Sequence, residues 1–475
     1  MSSKSSTLSL GTDSIGKLLL RYAVPAIIAM ASSSLYHIID SIFVGHGVGG
    51  AAIAGMAITM PIMNIASAFG SMVGVGAAAR ISIRLGEGNK IAAEKTLGNA
   101  VLLNIVLGVV VMVGMLVFLD PILYLFSGGQ ATEQTIGYAR QFMQIIMAGN
   151  IITHLYLSLN EQIRASGYPR KSMFIMLAAV GVNLALNPLF IFKFGWGIRG
   201  SAAATVIAQF VAFVIAVSHF CSKGSFIRFK RTSFHFEWKI VFAILSIGLA
   251  PFLLNMCASM VAAFVNHALL LYGGTGARDI VAATAGAGDI YVGAYGIINR
   301  VVLLFIMVIQ GLNQGMQPIV GYNFGAKNFA RVRRTLMLTI CCGVCIATVG
   351  FLLGQFAPSA IARAFVDSSK GGDEQAMIDA ATQGLRLVIL MFPLVGFQIV
   401  TGNFFQYIGK APLAIFMSLT RQLIFLLPLL WTLPRTLGAF GVWISMPISD
   451  CASVTLAAIF LVWQLRKMRR EEKLR

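Results

Sequence analysis

Charge is scarce in this sequence, and acid is scarcer still. Charged residues make up 11% of the 475 positions, against about 25% in an ordinary water-soluble domain. Only 17 residues are Asp or Glu, set against 36 Lys and Arg. With 57% of the chain hydrophobic, water is excluded as the main solvent of the fold. Period-two alternation is also lacking, which excludes an outer-membrane barrel. The six cysteines, Cys221, Cys257, Cys341, Cys342, Cys345 and Cys451, all fall within or beside apolar stretches. No His or acid accompanies the Cys341–Cys342–Cys345 group, so these read as packing thiols and no metal site is expected. No cleavable leader is expected, because the first apolar stretch runs on to an aspartate instead of a small-residue cleavage site. Paired acids, or a nucleophile with its base, are missing from the apolar stretches, so no enzyme activity is expected.

What is present is a series of apolar runs, each long enough to cross a hydrocarbon layer about 30 Å thick as a helix. They predict about twelve spans, near 15–44, 52–79, 97–119, 137–159, 173–192, 201–220, 240–271, 290–319, 335–357, 384–407, 412–432 and 440–463. The net charge of +19 follows this layout. With the N-terminus inside, the inner segments hold Arg80, Arg84, Lys90, Arg164, Arg170, Lys171, Lys223, Arg228, Lys230, Lys327, Arg331 and the basic C-terminal tail. The outer segments hold only Lys193, Arg199, Arg278, Arg363, Lys370 and Arg435. This is the positive-inside asymmetry. It places both termini in the cytoplasm and the tail near anionic headgroups, and it removes the reason to expect a nucleic-acid partner.

The second half echoes the first. Ala23-Val24-Pro25-Ala26 is matched by Leu249-Ala250-Pro251-Phe252, Leu85-Gly86-Glu87-Gly88-Asn89-Lys90 by Phe324-Gly325-Ala326-Lys327-Asn328, and Gly197-Ile198-Arg199-Gly200 by Gly438-Ala439-Phe440-Gly441. An even number of spans per unit gives both halves the same orientation, as in transporters built on parallel repeats about a central cleft. The expected fold class is therefore an all-α integral membrane protein of two pseudo-symmetric six-helix bundles. The expected parts are an N-terminal bundle at 1–222, a cytoplasmic linker at 223–239, a C-terminal bundle at 240–464 and a basic tail at 465–475. Pro25 and Pro251 occupy equivalent places inside spans and are candidate bending points, either fixed kinks or moving hinges.

Few acids are placed where an ionised carboxylate costs about 3 kcal/mol. Asp40 is the clearest. It closes a stripe from Ser33 through Tyr36 or His37 at helical spacing, so these groups share a face that must avoid lipid. An acid held there is able to exchange a proton near neutral pH. Asn183 and Asn187, and likewise Thr205 and Gln209, stand one turn apart. Their oxygens suit Na⁺ or a carboxyl group, and suit interhelical hydrogen bonds equally. Asn266 takes the place of Asp40 in the second half, so the duplicated position stayed polar and lost its charge. Asp450 is a second buried acid, with Arg300 as a candidate partner in an ion pair or a transport step. Gln310, Asn313, Gln314, Gln317 and Asn323 predict a polar face toward the cleft. Methionines crowd the first two spans, Met60 among them, as packing or as an adaptable pocket.

Asp40-Ser41-Ile42-Phe43-Val44-Gly45 resembles the first-span motif of multidrug and toxic compound extrusion (MATE) transporters. Arg164-Ala165-Ser166-Gly167-Tyr168-Pro169, the stretch from Asn183 to Phe192, and Gln314-Gly315-Met316-Gln317-Pro318-Ile319-Val320-Gly321-Tyr322-Asn323-Phe324-Gly325-Ala326 carry the same resemblance. It covers essentially the whole chain. The resemblance implies export of organic cations in antiport with H⁺ or Na⁺ by alternating access, with no other cofactor. It implies a cation site in the N-terminal bundle at Asp40, Asn183, Asn187 and Thr205, and bending at Pro25. Asn187 stands where many members carry an aspartate. A substrate cleft is expected at Tyr36, His37, Met60, Asn266, Gln310, Asn313 and Gln317, in a bacterial inner-membrane protein acting as a monomer. The alternative of the same topology, a flippase for lipid-linked precursors, is expected to need a basic cleft, and the spans show Arg300 and Arg421 but no cluster of embedded Arg or Lys.

Overall fold

The structure, a computed structural model, describes residues 9–127, 132–281, 286–365 and 372–473, without the side chains of 35–38 and 372–373. It is helical throughout, with no strand among the described residues. The first half runs α1 (Ile15–Gly47), α2 (Gly50–Gly86), α3 (Lys90–Val117), α4 (Leu119–Phe126), α5 (Glu133–Ala148), α6 (Asn150–Ala165), α7 (Pro169–Pro188) and α8 (Gly197–Cys221). The second runs α9 (Trp238–Tyr272), α10 (Ala287–Gly325), α11 (Phe329–Phe356), α12 (Pro358–Arg363), α13 (Gly372–Val388), α14 (Phe392–Tyr407), α15 (Ala411–Leu419), α16 (Leu427–Thr432) and α17 (Pro434–Lys473). Among the described residues ten helices are long and apolar enough to cross a membrane, or up to twelve if each of two bent pairs is one span.

Those bent pairs are where the expected spans 137–159 and 384–407 fall. Each is broken and turned by 56° instead of running straight, α5 to α6 at Gly149 and α13 to α14 ahead of Pro393. Pro393 has no N–H to continue the ladder, and Gly149 lets the chain approach Val206 closely. The internal duplication reappears as element order. Three long helices, a short helix, a pair bent by the same angle, a helix interrupted by a π turn and a long final helix occur in each half. The π turns are Leu189–Lys193 after α7 and Thr420–Leu426 after α15.

The outward faces explain why lipid is required. Val106, Val110, Val113 and Val117 recur along α3 at three- and four-residue steps, and all are at least half exposed. Such a stripe has no partner inside the fold and needs an apolar solvent. The N-terminus of α3 is capped conventionally, with Asn89 Oδ1 accepting the Ala92 N–H at 2.9 Å.

Packing divides the chain into two compact units along lines that differ from the sequence repeat. The first runs to Asn255 and takes in Gln314–Val332 and Gln406–Ala411; the second holds Met256–Asn313, Arg333–Phe405 and the chain from Pro412. Within the first unit glycines admit the added segments. Gly248 lies on the Met72 carbonyl, Gly86 on that of Tyr322, and Gly325 on that of Ile83, each with no room for a Cβ. The segment before α9 is strapped onto α3. Lys230 pairs with Glu94 at 2.6 Å and Lys95 with Glu237 at 2.7 Å, while Asn99 Oδ1 accepts the Glu237 N–H at 2.8 Å.

Within the second unit, Trp443 is fully buried beside Tyr295, and Phe305 meets Phe392 edge-on across Gly350. Asp279 ties the start of α17 to the loop after α9. Its Oδ2 accepts N–H groups of Gly274, Gly276 and Ala439 at 2.9–3.1 Å, and its Oδ1 accepts that of Phe440 at 2.8 Å. Gly438 adopts φ 63° here, a left-handed turn that glycine takes without strain. Asp279→Ala strands four N–H groups and is expected to destabilise the second unit by on the order of 3 kcal/mol. The midpoint of thermal unfolding in detergent should drop, and drop less in Asp279→Asn; an unchanged midpoint in Asp279→Ala would contradict this assignment.

Candidate functional site

Asp40 is buried on α1 in the first unit. Helix α7 packs along both α1 and α8, so residues one turn apart on α7 and α8 converge on it. Asn187 Nδ2 donates to Asp40 Oδ1, and Ser201 Oγ donates to the same oxygen at 2.8 Å. One turn further along, Asn183 Nδ2 donates to Thr205 Oγ1 at 3.1 Å, and Thr205 Oγ1 donates to the Ser201 carbonyl at 3.1 Å. The structure therefore gathers Asp40, Asn183, Asn187 and Thr205 into one buried network.

Two features set its chemistry. Among the described residues no cationic side chain pairs with Asp40, so its charge is met only by neutral donors. The side-chain oxygens of Asn183 and Asn187 are buried and accept no hydrogen bond. A carboxylate with two free carbonyl oxygens nearby is a donor set for a hard monovalent cation or for a proton. Along the chain, apolar groups follow the network directly. Phe190, Phe194 and Trp196 group around the π turn after α7 with centroids 5.0–5.7 Å apart, and Phe43 meets Phe192 edge-on. Gly200 lets α8 approach Phe190.

Ser201 was not singled out from the sequence. It lies one turn before Thr205, so the spacing that paired Thr205 with Gln209 also reaches it. Gln209 turns to a different neighbour, accepting Thr153 Oγ1 at 2.5 Å.

The remaining candidates are dispersed. The side chains of Tyr36 and His37 lie outside the described residues. Met60 is exposed on α2, while Met56 and Met72 are core residues. In the first unit Gln317 is buried, its Nε2 donating to the Val75 carbonyl at 3.4 Å. In the second unit Asn266 and Gln310 are half-buried, and Asn313 is fully buried with both polar atoms unpaired. Pro25 and Pro251 sit within the uninterrupted helices α1 and α9.

Asp450 differs from Asp40, and its expected partner is corrected. Arg421 Nε, not Arg300, donates to Asp450 Oδ1 at 2.7 Å. Arg421 lies in the π turn after α15, which packs on α17, whereas Arg300 is exposed on α10. The π turn also presents the Arg421 carbonyl to Ser449 Oγ at 2.6 Å. Arg421→Leu leaves a buried carboxylate unpaired and is expected to destabilise the protein by on the order of 3 kcal/mol. The double variant Arg421→Leu/Asp450→Asn should recover much of the thermal midpoint lost in Arg421→Leu; no recovery would mean that the pair is not what holds α17 to this turn.

A family model described as MatE matches the chain twice, over residues 25–189 and 268–432. The chain is 26% identical over 454 residues to a multidrug export protein MepA of Staphylococcus haemolyticus, covering 96% of this chain and 94% of that protein. It is 24% identical over 461 residues to a MepA of Staphylococcus aureus strain MRSA252, covering 95% and 94%. Among solved structures, a MATE protein in a bent conformation superposes with a TM-score of 0.88 at 22% identity, covering 98% of each chain. An outward-facing multidrug resistance MATE family transporter of the MOP superfamily gives 0.86 at 23%, covering 97% of this chain and 98% of that one. At these identities the structural likeness concerns the fold.

Proposed function

This chain belongs to the MatE family, and from that premise we propose that it is a secondary active multidrug efflux transporter. It is a multi-pass membrane protein, and its relatives are multidrug export proteins. In this reading it exports amphipathic organic cations from a bacterial inner membrane, both termini in the cytoplasm, as a monomer. Export is in antiport with H⁺ or Na⁺.

The observation that carries this reading is the buried Asp40, compensated by Asn187 and Ser201 and by no cationic side chain among the described residues. A carboxylate without a permanent counter-charge is most stable in an apolar interior when something positive or a proton joins it. On the outside the coupling ion takes that place, which weakens the hold on an organic cation and favours its release. On the inside the ion leaves, and the freed carboxylate network favours loading. One monovalent ion exchanged for one monovalent cation moves no net charge, so a concentration gradient of the ion alone drives the cycle. Pro25 in α1 is the bending point that carries Asp40 between states, the missing N–H having already freed one rung of the helix.

Asp40→Asn keeps the shape of the network and removes the exchangeable charge. In proteoliposomes, ethidium export driven by an imposed pH or Na⁺ gradient is expected to vanish in Asp40→Asn, at unchanged protein yield. Export against the gradient at wild-type rate in this variant would overturn the proposal.

A further inference from the structure

A polar file runs on through the first unit from the Asp40 network, and beyond Thr205 no step described above uses it. Along α8, Ser201, Thr205 and Gln209 follow one another at single-turn steps. Gln209 then joins α6 through Thr153 Oγ1 at 2.5 Å. On α6 the next residue, His154, is turned about 100° from Thr153 toward α2, and His154, Ser158 and Gln162 follow at single-turn steps toward the helix end that carries Arg164. By helical rise these segments cover about 12 and 13 Å. Gln162 Nε2 donates to Ser158 Oγ at 2.9 Å, and Gln162 Oε1 is buried without a partner.

His154 is fully buried in the middle of this file. Its Nε2 faces the Ala66 carbonyl of α2 at 2.9 Å. A carbonyl only accepts, so Nε2 carries the hydrogen and Nδ1 carries the lone pair. Nδ1 is buried and has no partner. Helix α2 makes room for this edge of α6 with glycine. A Cβ on Gly70 would meet His154 Cα and Cδ2 at 2.9 Å, and one on Gly74 would meet Ser158 Cα at 2.9 Å. The glycines seat this edge of α6 directly on α2, while His154 Nδ1 and Gln162 Oε1 are left as acceptors of the kind that bridging water fills. The charged and titratable groups of the elements packed on α6 lie toward its two ends: Arg199 on α8 with Glu133 and Arg140 on α5 toward one, and Arg80 and Arg84 on α2, Lys90, Glu94 and Lys95 on α3, Arg170 and Lys171 on α7 and His219 on α8 toward the level of Arg164. His154 stands about 15 Å from that level by helical rise. A buried ionisable group in a spanning helix is a functional candidate by default.

We propose that this file is the proton's route between Asp40 and the cytoplasmic end of the first unit, with His154 holding the proton midway. The inference rests on the proton form of the antiport. Asp40 loses its O–H proton through the hydroxyls of Ser201, Thr205 and Thr153, with water between them and Gln209 holding Thr153 in line. His154 Nδ1 gains it, giving an imidazolium whose Nε2–H stays on the Ala66 carbonyl. Nδ1 then releases it past Ser158 and Gln162 to cytoplasmic water. Gln209 and Gln162 orient the chain, and the hydroxyls and imidazole carry the proton.

The test uses His154→Gln, which keeps a donor for Ala66 but holds no proton, and Gln209→Leu. Both are reconstituted at full length with ethidium outside and a pH-sensitive dye inside. Expected is a fall of at least about tenfold in the rate of pH-driven exchange, with the KM for ethidium and the thermal midpoint close to wild type. Wild-type exchange rates in both variants would overturn the route while leaving the antiport intact. A rate loss matched by lost ethidium affinity or lost stability would also overturn it, as the sign of a structural histidine. If wild-type protein moved ethidium with no proton movement, the proton antiport and the route would fall together.

Discussion

An uncompensated carboxylate in an apolar interior is the constraint around which the first unit is arranged. Asp40 is buried, yet among the described residues it receives hydrogen bonds only from Asn187 and Ser201. Neutral donors stabilise a carboxylate without cancelling its charge, so the site retains affinity for a cation or a proton. Asp450 shows the opposite solution in the second unit. There Arg421 lies against the carboxylate, and the ion pair is complete within the protein. A completed pair holds helices together and has little left to exchange. Two acids of similar burial thus differ in what their neighbours allow.

Placing polar side chains inside a membrane fold requires close helix approach, so that each group finds a partner and lipid is kept out. Glycine supplies that approach at Gly70 and Gly74 against α6, and at Gly86, Gly248 and Gly325 elsewhere in the first unit. The motif from Gln314 to Ala326 is best understood in these terms. Gly315 abuts Ala23, Gly321 abuts Ser82, and Asn323 donates to the Leu10 carbonyl at 3.0 Å. Arg331 adds bonds to the Leu10 and Asp13 carbonyls. This stretch is therefore a packing surface for the N-terminal part of the chain.

The duplication is preserved in backbone and altered in side chains. Both halves carry the same order of helices, the same 56° bend and a π turn before the last helix. Against that shared frame, the charged position of α1 is an asparagine in the second half, Asn266. The second π turn carries the arginine that neutralises Asp450. Equivalent backbones hold a carboxylate met by neutral donors in one half and an ion pair in the other.

The sequence by itself determined the membrane setting, the order of the apolar helices and the duplication, because these follow from composition and run length, and its helical spacing singled out Asp40. It also selected Asn183, Asn187 and Thr205 through resemblance. Tertiary structure alone decided which of these groups touch. Ser201 became a ligand of Asp40 because α7 and α8 meet there, and Arg421 displaced Arg300 as the partner of Asp450 because a π turn, invisible in residue spacing, rotates it toward α17. The bends in two expected spans were hidden for a related reason. An apolar run records how much chain lies in lipid, whereas where a helix breaks depends on the packing of a single glycine or proline.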